Sequence, residues 1–142
     1  MRKALALLLG LQLAANGLFM LVDPATWYAL VPGVPETGPL NPHFVRDIGC
    51  AYLISGATLA GFAFDQRLRV GALGGAAFLT LHALVHVADA IAGRGHAGHV
   101  LVELLAVFTP AALALWLTLS FPSQPTENDH AELANQTANH RI

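Results

Sequence analysis

The sequence predicts an all-α integral membrane fold, a four-helix bundle with both termini inside, and three observations carry the prediction. Hydrophobic residues make up 55% of the 142 and charged residues only 11%, where a soluble globular domain carries about 25% charged, and the mean hydropathy is +0.56. The apolar residues gather into four stretches, each close to the roughly 20 residues needed to cross a hydrocarbon core. Those stretches lack the charged face that a helix of a soluble bundle turns to water. The length suits one domain. Seven Lys+Arg stand against nine Asp+Glu, and since Glu127, Asp129, Glu132 and Arg141 lie in the last segment, the rest of the chain is balanced. That balance leaves no basic footprint for nucleic acid. A single cysteine, Cys50, excludes an internal disulfide and a CxxC motif.

The first predicted span covers residues 4–22. Its Met-Arg-Lys start and leucine-rich run also fit a signal peptide with a cleavage site at Leu13-Ala14-Ala15, but the apolar run continues through Leu18, Phe19 and Met20, longer than such a segment needs. The outer loop, 23–41, is rich in proline and glycine. Within it Asp23-Pro24 is a cap for a short helix carrying Trp27 and Tyr28, aromatics suited to the headgroup zone as interface anchors, or to a lid over the outer mouth. Asn41-Pro42 reads as an N-cap followed by proline at the first helical position, so the second span is expected over 42–64. A short turn at 65–69 makes the third span, 70–92, an antiparallel neighbour of the second. The fourth span is expected over 98–121, completing a transmembrane domain at 1–121. Residues 122–142 have no apolar period and read as a disordered cytoplasmic tail. Arg2, Lys3, Arg67, Arg69 and Arg141 fall on one side of this topology, and only Arg46 and Arg94 on the other. The excess places both termini in the cytoplasm.

Ionisable groups inside a bilayer cost a few kcal/mol each, so their placement carries the functional reading. In the third span His82, His86 and Asp89 lie within roughly 60° of arc on one helix face. Gly71 and Gly75 continue that stripe as a GxxxG pair, which lets a neighbouring backbone approach closely. The second span opens with His43, Arg46, Asp47 and Cys50 on one face, and the fourth with His96, His99 and Glu103; the first contributes Gln12 and Asn16. In the predicted topology these groups converge in the outer half of the membrane.

Histidines one turn apart can ligate one ion while a carboxylate completes the set, so His82, His86, Asp89, His99 and Glu103 are candidate ligands for zinc, iron or copper. His86 and His99 can instead supply two axial ligands to a haem. His43, Arg46, Asp47 and Asn16 are candidates for holding a cofactor beside them. A quinone exchanging protons with a histidine and a carboxylate is a third reading. A polar network that only locks the bundle, as in a structural or accessory subunit, is a fourth. No HExxH motif supports protease chemistry, and ionisable groups confined to one half of the membrane give no transport pathway. Beyond the lipid bilayer, a membrane redox partner or a second copy are the partners these readings imply.

The strings Asn41-Pro42-His43-Phe44-Val45-Arg46-Asp47 and His82-Ala83-Leu84-Val85-His86-Val87-Ala88-Asp89, with four short spans and a Pro/Gly-rich outer loop, resemble the small bacterial four-helix membrane proteins grouped as DoxX-like. The resemblance covers residues 1–121. It implies a place in a quinone-linked respiratory or sulfur-oxidising assembly, and it assigns no particular residue.

Overall fold

The computed structural model describes residues 1–94 and 100–120, and among them every regular element is helical. The order is α1 (Arg2–Val22), α2 (Pro24–Leu30), α3 (Pro42–Phe62), α4 (Arg69–Ile91) and α5 (Val100–Ser120), with 3-10 turns at Val34–Thr37 and Gln66–Leu68. His96, His99 and the tail expected at 122–142 lie outside the described residues.

The caps form where local chemistry asks for them. Asp23 accepts from the Thr26 N–H at 3.1 Å and Pro24 opens α2. Asn41 accepts from the Phe44 N–H at 3.2 Å and Pro42 opens α3. Each side-chain oxygen satisfies a helix donor that has no carbonyl partner, and each proline stands where no donor is needed. The Asp65 carboxylate accepts from the Arg67 N–H at 2.9 Å and sets the turn between α3 and α4. At the far end of α4, Gly93 takes φ +71°, its N–H donates to Ala90 O, and the Arg94 N–H reaches Asp89 O. This is a Schellman stop, which needs the left-handed residue that glycine supplies.

The buried positions of each long helix follow a spacing of three and four: Ala6, Gly10, Leu13, Gly17 and Met20 in α1; Val45, Gly49, Tyr52, Gly56 and Leu59 in α3; Ala72, Ala76, Leu79 and Ala83 in α4. These positions pack helix on helix, while Leu8, Leu11, Leu18, Ile54, Leu81, Leu84 and Leu119 stay exposed. Apolar surface on that scale is what a helix offers to lipid.

The most extensive seam joins α1 to α3, antiparallel. A Cβ added at Gly10 would stand 2.5 Å from Ala60 N and 2.7 Å from Gly56 O, and one at Gly17 would stand 2.5 Å from Leu53 N. Glycines seven residues apart on both helices therefore bring backbone against backbone. On the other side of α3, a Cβ at Gly75 would lie 2.9 Å from Ser55 Cα, and one at Gly71 would lie 3.0 Å from the Thr58 methyl. Gly71 and Gly75 thus face a neighbouring helix, as their stripe predicts. α4 then packs on α5, and Arg2 of α1 donates to Ser120 O at 2.9 Å while its guanidinium lies over the Trp116 ring.

Four spans of equal character are not what the helices show. α1, the Gln66–Ile91 helix and Val100–Ser120 are long and apolar enough to cross a membrane; α3 is as long as α1 but less apolar. The reason lies in its composition, with His43, Arg46 and Asp47 in the opening turns and Tyr52, Ser55 and Thr58 further along. It packs against α1 on one side and α4 on the other, so less of it faces outward.

A second departure from the predicted pattern lies in α5, which contains a π turn at Leu104–Phe108. Pro110 explains it: proline has no N–H and its ring would press on the Ala106 carbonyl in a regular helix. The Thr109 N–H and the Thr109 hydroxyl (2.8 Å) both donate to Leu104 O, so the irregular turn keeps part of its bonding.

Candidate functional site

The predicted outer cluster resolves into two groups, one on α1, α2 and α3 and the other on α4 and α5. No hydrogen bond or ion pair among the described residues joins them.

In the first group each candidate has a local partner. Asn16 accepts from the Trp27 indole N–H at 3.0 Å, and its amide lies 3.6 Å from the Met20 sulfur. Arg46 donates through Nε to Leu21 O at 3.2 Å, covering a carbonyl in the last turn of α1 that no helix donor reaches. The pairing of Arg46 with Asp47, Asp89 or Glu103 that a single network would need does not form. His43 and Asp47 approach to 3.4 Å across one helical turn, but with side chains 88% and 60% exposed they make a surface pair. Cys50 is free and exposed. Tyr28 donates to Gly38 O at 2.7 Å, so the two aromatics of α2 pin the outer loop to α1 and to itself. Together these contacts tie α2, the loop after it and the start of α3 to α1.

The second group is different. His82 and His86, one turn apart on α4, meet edge to face with ring centroids 4.9 Å apart. His82 also lies parallel to Phe78, centroids 6.2 Å, and edge-on to Tyr52 of α3 at 5.9 Å. Among the described residues the His82 ring makes no hydrogen bond, so its donor and its acceptor are both unspent. His86 Nδ1 faces Glu103 Oε1 of α5 at 3.7 Å, each side chain 29% exposed. Asp89, expected on the same ligand set, is drawn away by Arg94, whose Nε and Nη2 bind Oδ1 at 2.9 and 2.7 Å. The cause is the Schellman stop, which folds Arg94 back over the last turn of α4.

The structure therefore sets His86 against His82 on its own helix and against Glu103 of α5, while Asp89 is bound to Arg94; His99 lies outside the described residues. Among the described residues no three His, Cys, Asp or Glu side chains are grouped so as to hold a metal ion. The aromatic flank, Tyr52 and Phe78, escaped the sequence reading. Its signal was available, since Phe78 precedes His82 by one turn on the same stripe.

Comparison of the chain with protein-family models, with curated proteins and with solved structures finds no match. The class the fold defines is an all-helical protein whose apolar helices suit contact with a lipid bilayer. Its functional reading rests on the site alone.

Proposed function

We propose that the chain is a four-span protein of a bacterial inner membrane, with both termini cytoplasmic, which binds a transition-metal ion between α4 and α5 in the outer half. One observation carries this reading: the 3.7 Å between His86 Nδ1 and Glu103 Oε1. A hydrogen bond between such groups closes to about 2.7–3.2 Å. Two ligand atoms on one tetrahedral zinc, each about 2.0 Å from it, stand roughly 3.3 Å apart. The gap exceeds both spacings, leaving room for an ion to draw the two side chains together, and His82, ring to ring with His86, has an uncommitted imidazole. Alternation of the long helices supports the four spans, because the start of α1 and the end of α5 meet through Arg2 and Ser120. The basic residues at that end support the cytoplasmic assignment.

A second reading is favoured by a separate observation: Asp89 with Arg94, and Arg46 with a carbonyl, are polar groups spent on structure. In this reading the chain is an accessory subunit and His86–Glu103 is only an ion pair. Either role is compatible with a place in a DoxX-like, quinone-linked assembly, and nothing in the geometry selects a quinone.

Metal analysis of protein purified without chelator separates the two. Near-stoichiometric zinc, iron or copper, lost in His86→Ala and in Glu103→Gln, supports the site; an ion-free wild type leaves the ion pair. An intense Soret band would assign haem instead. Reporter fusions at Gly38 and Gln124 test the topology, and only the first is expected to be periplasmic.

A further inference from the structure

Gln12 takes no part in either polar group described above. It is the central residue of α1 (Arg2–Val22) and it is exposed. At about 1.5 Å per residue each end of the helix is about 15 Å away, half of the roughly 30 Å hydrocarbon core, so the side chain cannot reach water at either surface. Ser55, Thr58, Thr80, Thr109 and Thr118 each donate their hydroxyl to a carbonyl of their own helix, and Asn16 takes the Trp27 indole. Among the described residues Gln12 makes no hydrogen bond. In hydrocarbon an amide with its donors and its acceptor unmet is strongly disfavoured, and Gln12 therefore calls for a partner outside its own chain. Its neighbours on the helix surface form a stripe. Leu8, Gln12, Ala15, Phe19 and Val22 are all exposed and recur at alternating intervals of four and three, the period of a left-handed helix pair. At 100° per residue this stripe lies about 160° from the seam that packs on α3.

We propose that two copies of the chain associate through this stripe of α1, with the two Gln12 amides hydrogen-bonded to each other across a two-fold axis along the membrane normal. The apolar residues alone would not say so, because lipid is as apolar as leucine. The amide selects the occupant. It carries a carbonyl and an NH2 and so complements itself, and copies of one chain inserted in one orientation bring Gln12 opposite Gln12 at equal depth. Ala15, one turn further along, is small enough to let the two helices approach. The contact leaves the α1–α3 seam as it is and is independent of the metal site proposed between α4 and α5.

Energy transfer between donor- and acceptor-labelled copies in vesicles of phosphatidylethanolamine and phosphatidylglycerol tests this, on full-length protein carrying Cys50→Ser and labelled at Ala25→Cys, an exposed position of α2. Transfer is expected to rise with the protein-to-lipid ratio and to saturate as a dimer. Gln12→Leu, which keeps the helix and removes the amide, should move the midpoint to a ratio about tenfold higher, and Gln12→Asn, which keeps an amide, should retain most of the association. Oxidation of unlabelled Cys50→Ser protein carrying Ala15→Cys should give a disulfide-linked dimer, since the two-fold axis brings that position within the roughly 7 Å between Cα atoms that a disulfide spans. Ala57→Cys, exposed on α3 beside Gly56 and so at similar depth, should give none. Protein with Gln12 intact that shows only the transfer of random proximity at every ratio overturns the dimer and leaves the stripe to another membrane helix. A dimer that Gln12→Leu leaves undiminished, or one that Ala57→Cys links and Ala15→Cys does not, overturns it equally.

Discussion

The α1–α3 and α4–α5 seams use opposite chemistry. In the first, glycines seven residues apart on both helices let backbones touch, and the one charged side chain that crosses, Arg46, does so at the end of α1, onto Leu21 O. In the second, the inner half packs through alanine, leucine and proline, and the outer half is held by His86, Glu103 and two half-buried apolar side chains beside a π turn. Backbone against backbone has no rotamer to turn, so that seam can only be intact or broken. The polar, proline-interrupted seam has no fully buried residue in Val100–Phe108 and so has less packing to hold it. On the reading proposed above, the tightest packing lies on one side of the molecule and the binding chemistry on the other.

The sharpest way to break the contrast is at Gly56, where a Cβ would fall on Ala14 N and lie 2.5 Å from Gly10 O. Gly56→Ala should destabilise the protein by about 3 kcal/mol, the upper end of overpacking costs, because backbone must shift. A detergent unfolding curve reads it. Gly75→Leu, set against Ser55, should cost about 1–3 kcal/mol by the same mechanism. A conservative Leu73→Ile on α4 should cost much less, and equal tolerance of the two would mean that the stripe does not pack on α3.

At the polar seam the expected stability effect is smaller. His86→Ala should cost under about 1 kcal/mol, since a partly exposed 3.7 Å pair is worth little in itself, while metal content falls to background. A loss of several kcal/mol with no metal in the wild type would instead make the pair a structural lock. Gly74 faces open space, and Gly74→Ala should stabilise by about 0.5–1 kcal/mol through helix propensity alone. If it destabilises, that face of α4 is covered in the membrane.

The smallest effect is expected at α2. Hydrogen bonds from Thr26, its side chain and then its backbone N–H, hold Asp23 below the usual carboxylate value of 3.8. A depressed folded value stabilises the cap above that pH, and the contribution is lost as pH falls through the folded value. Trp27 fluorescence in a Trp116→Phe background should therefore change only below pH 3.8. A transition at neutral pH would point to some other group.

Much of the fold was legible in the residues. Asp23-Pro24 and Asn41-Pro42 announce their helices because a cap is a contact between near neighbours, and the helix stripe of Gly71, Gly75, His82 and His86 is a matter of counting. The Gly10, Gly17, Gly49 and Gly56 seam was equally countable, in equal spacings on two helices, and went unread beside the more familiar GxxxG. Pro110 was visible too, but whether a helix answers proline with a kink or a π turn depends on which carbonyl Thr109 can reach.

What the sequence by itself determined is the class, the helix starts and the face each polar residue occupies, because these follow from composition and a local period. Only the tertiary structure decided the partners: Asp89 with Arg94 rather than with the histidines, Arg46 on Leu21 O, Trp27 on Asn16, and Glu103 opposite His86. A helical period tells which way a side chain points, and the packing of whole helices tells what stands there to meet it.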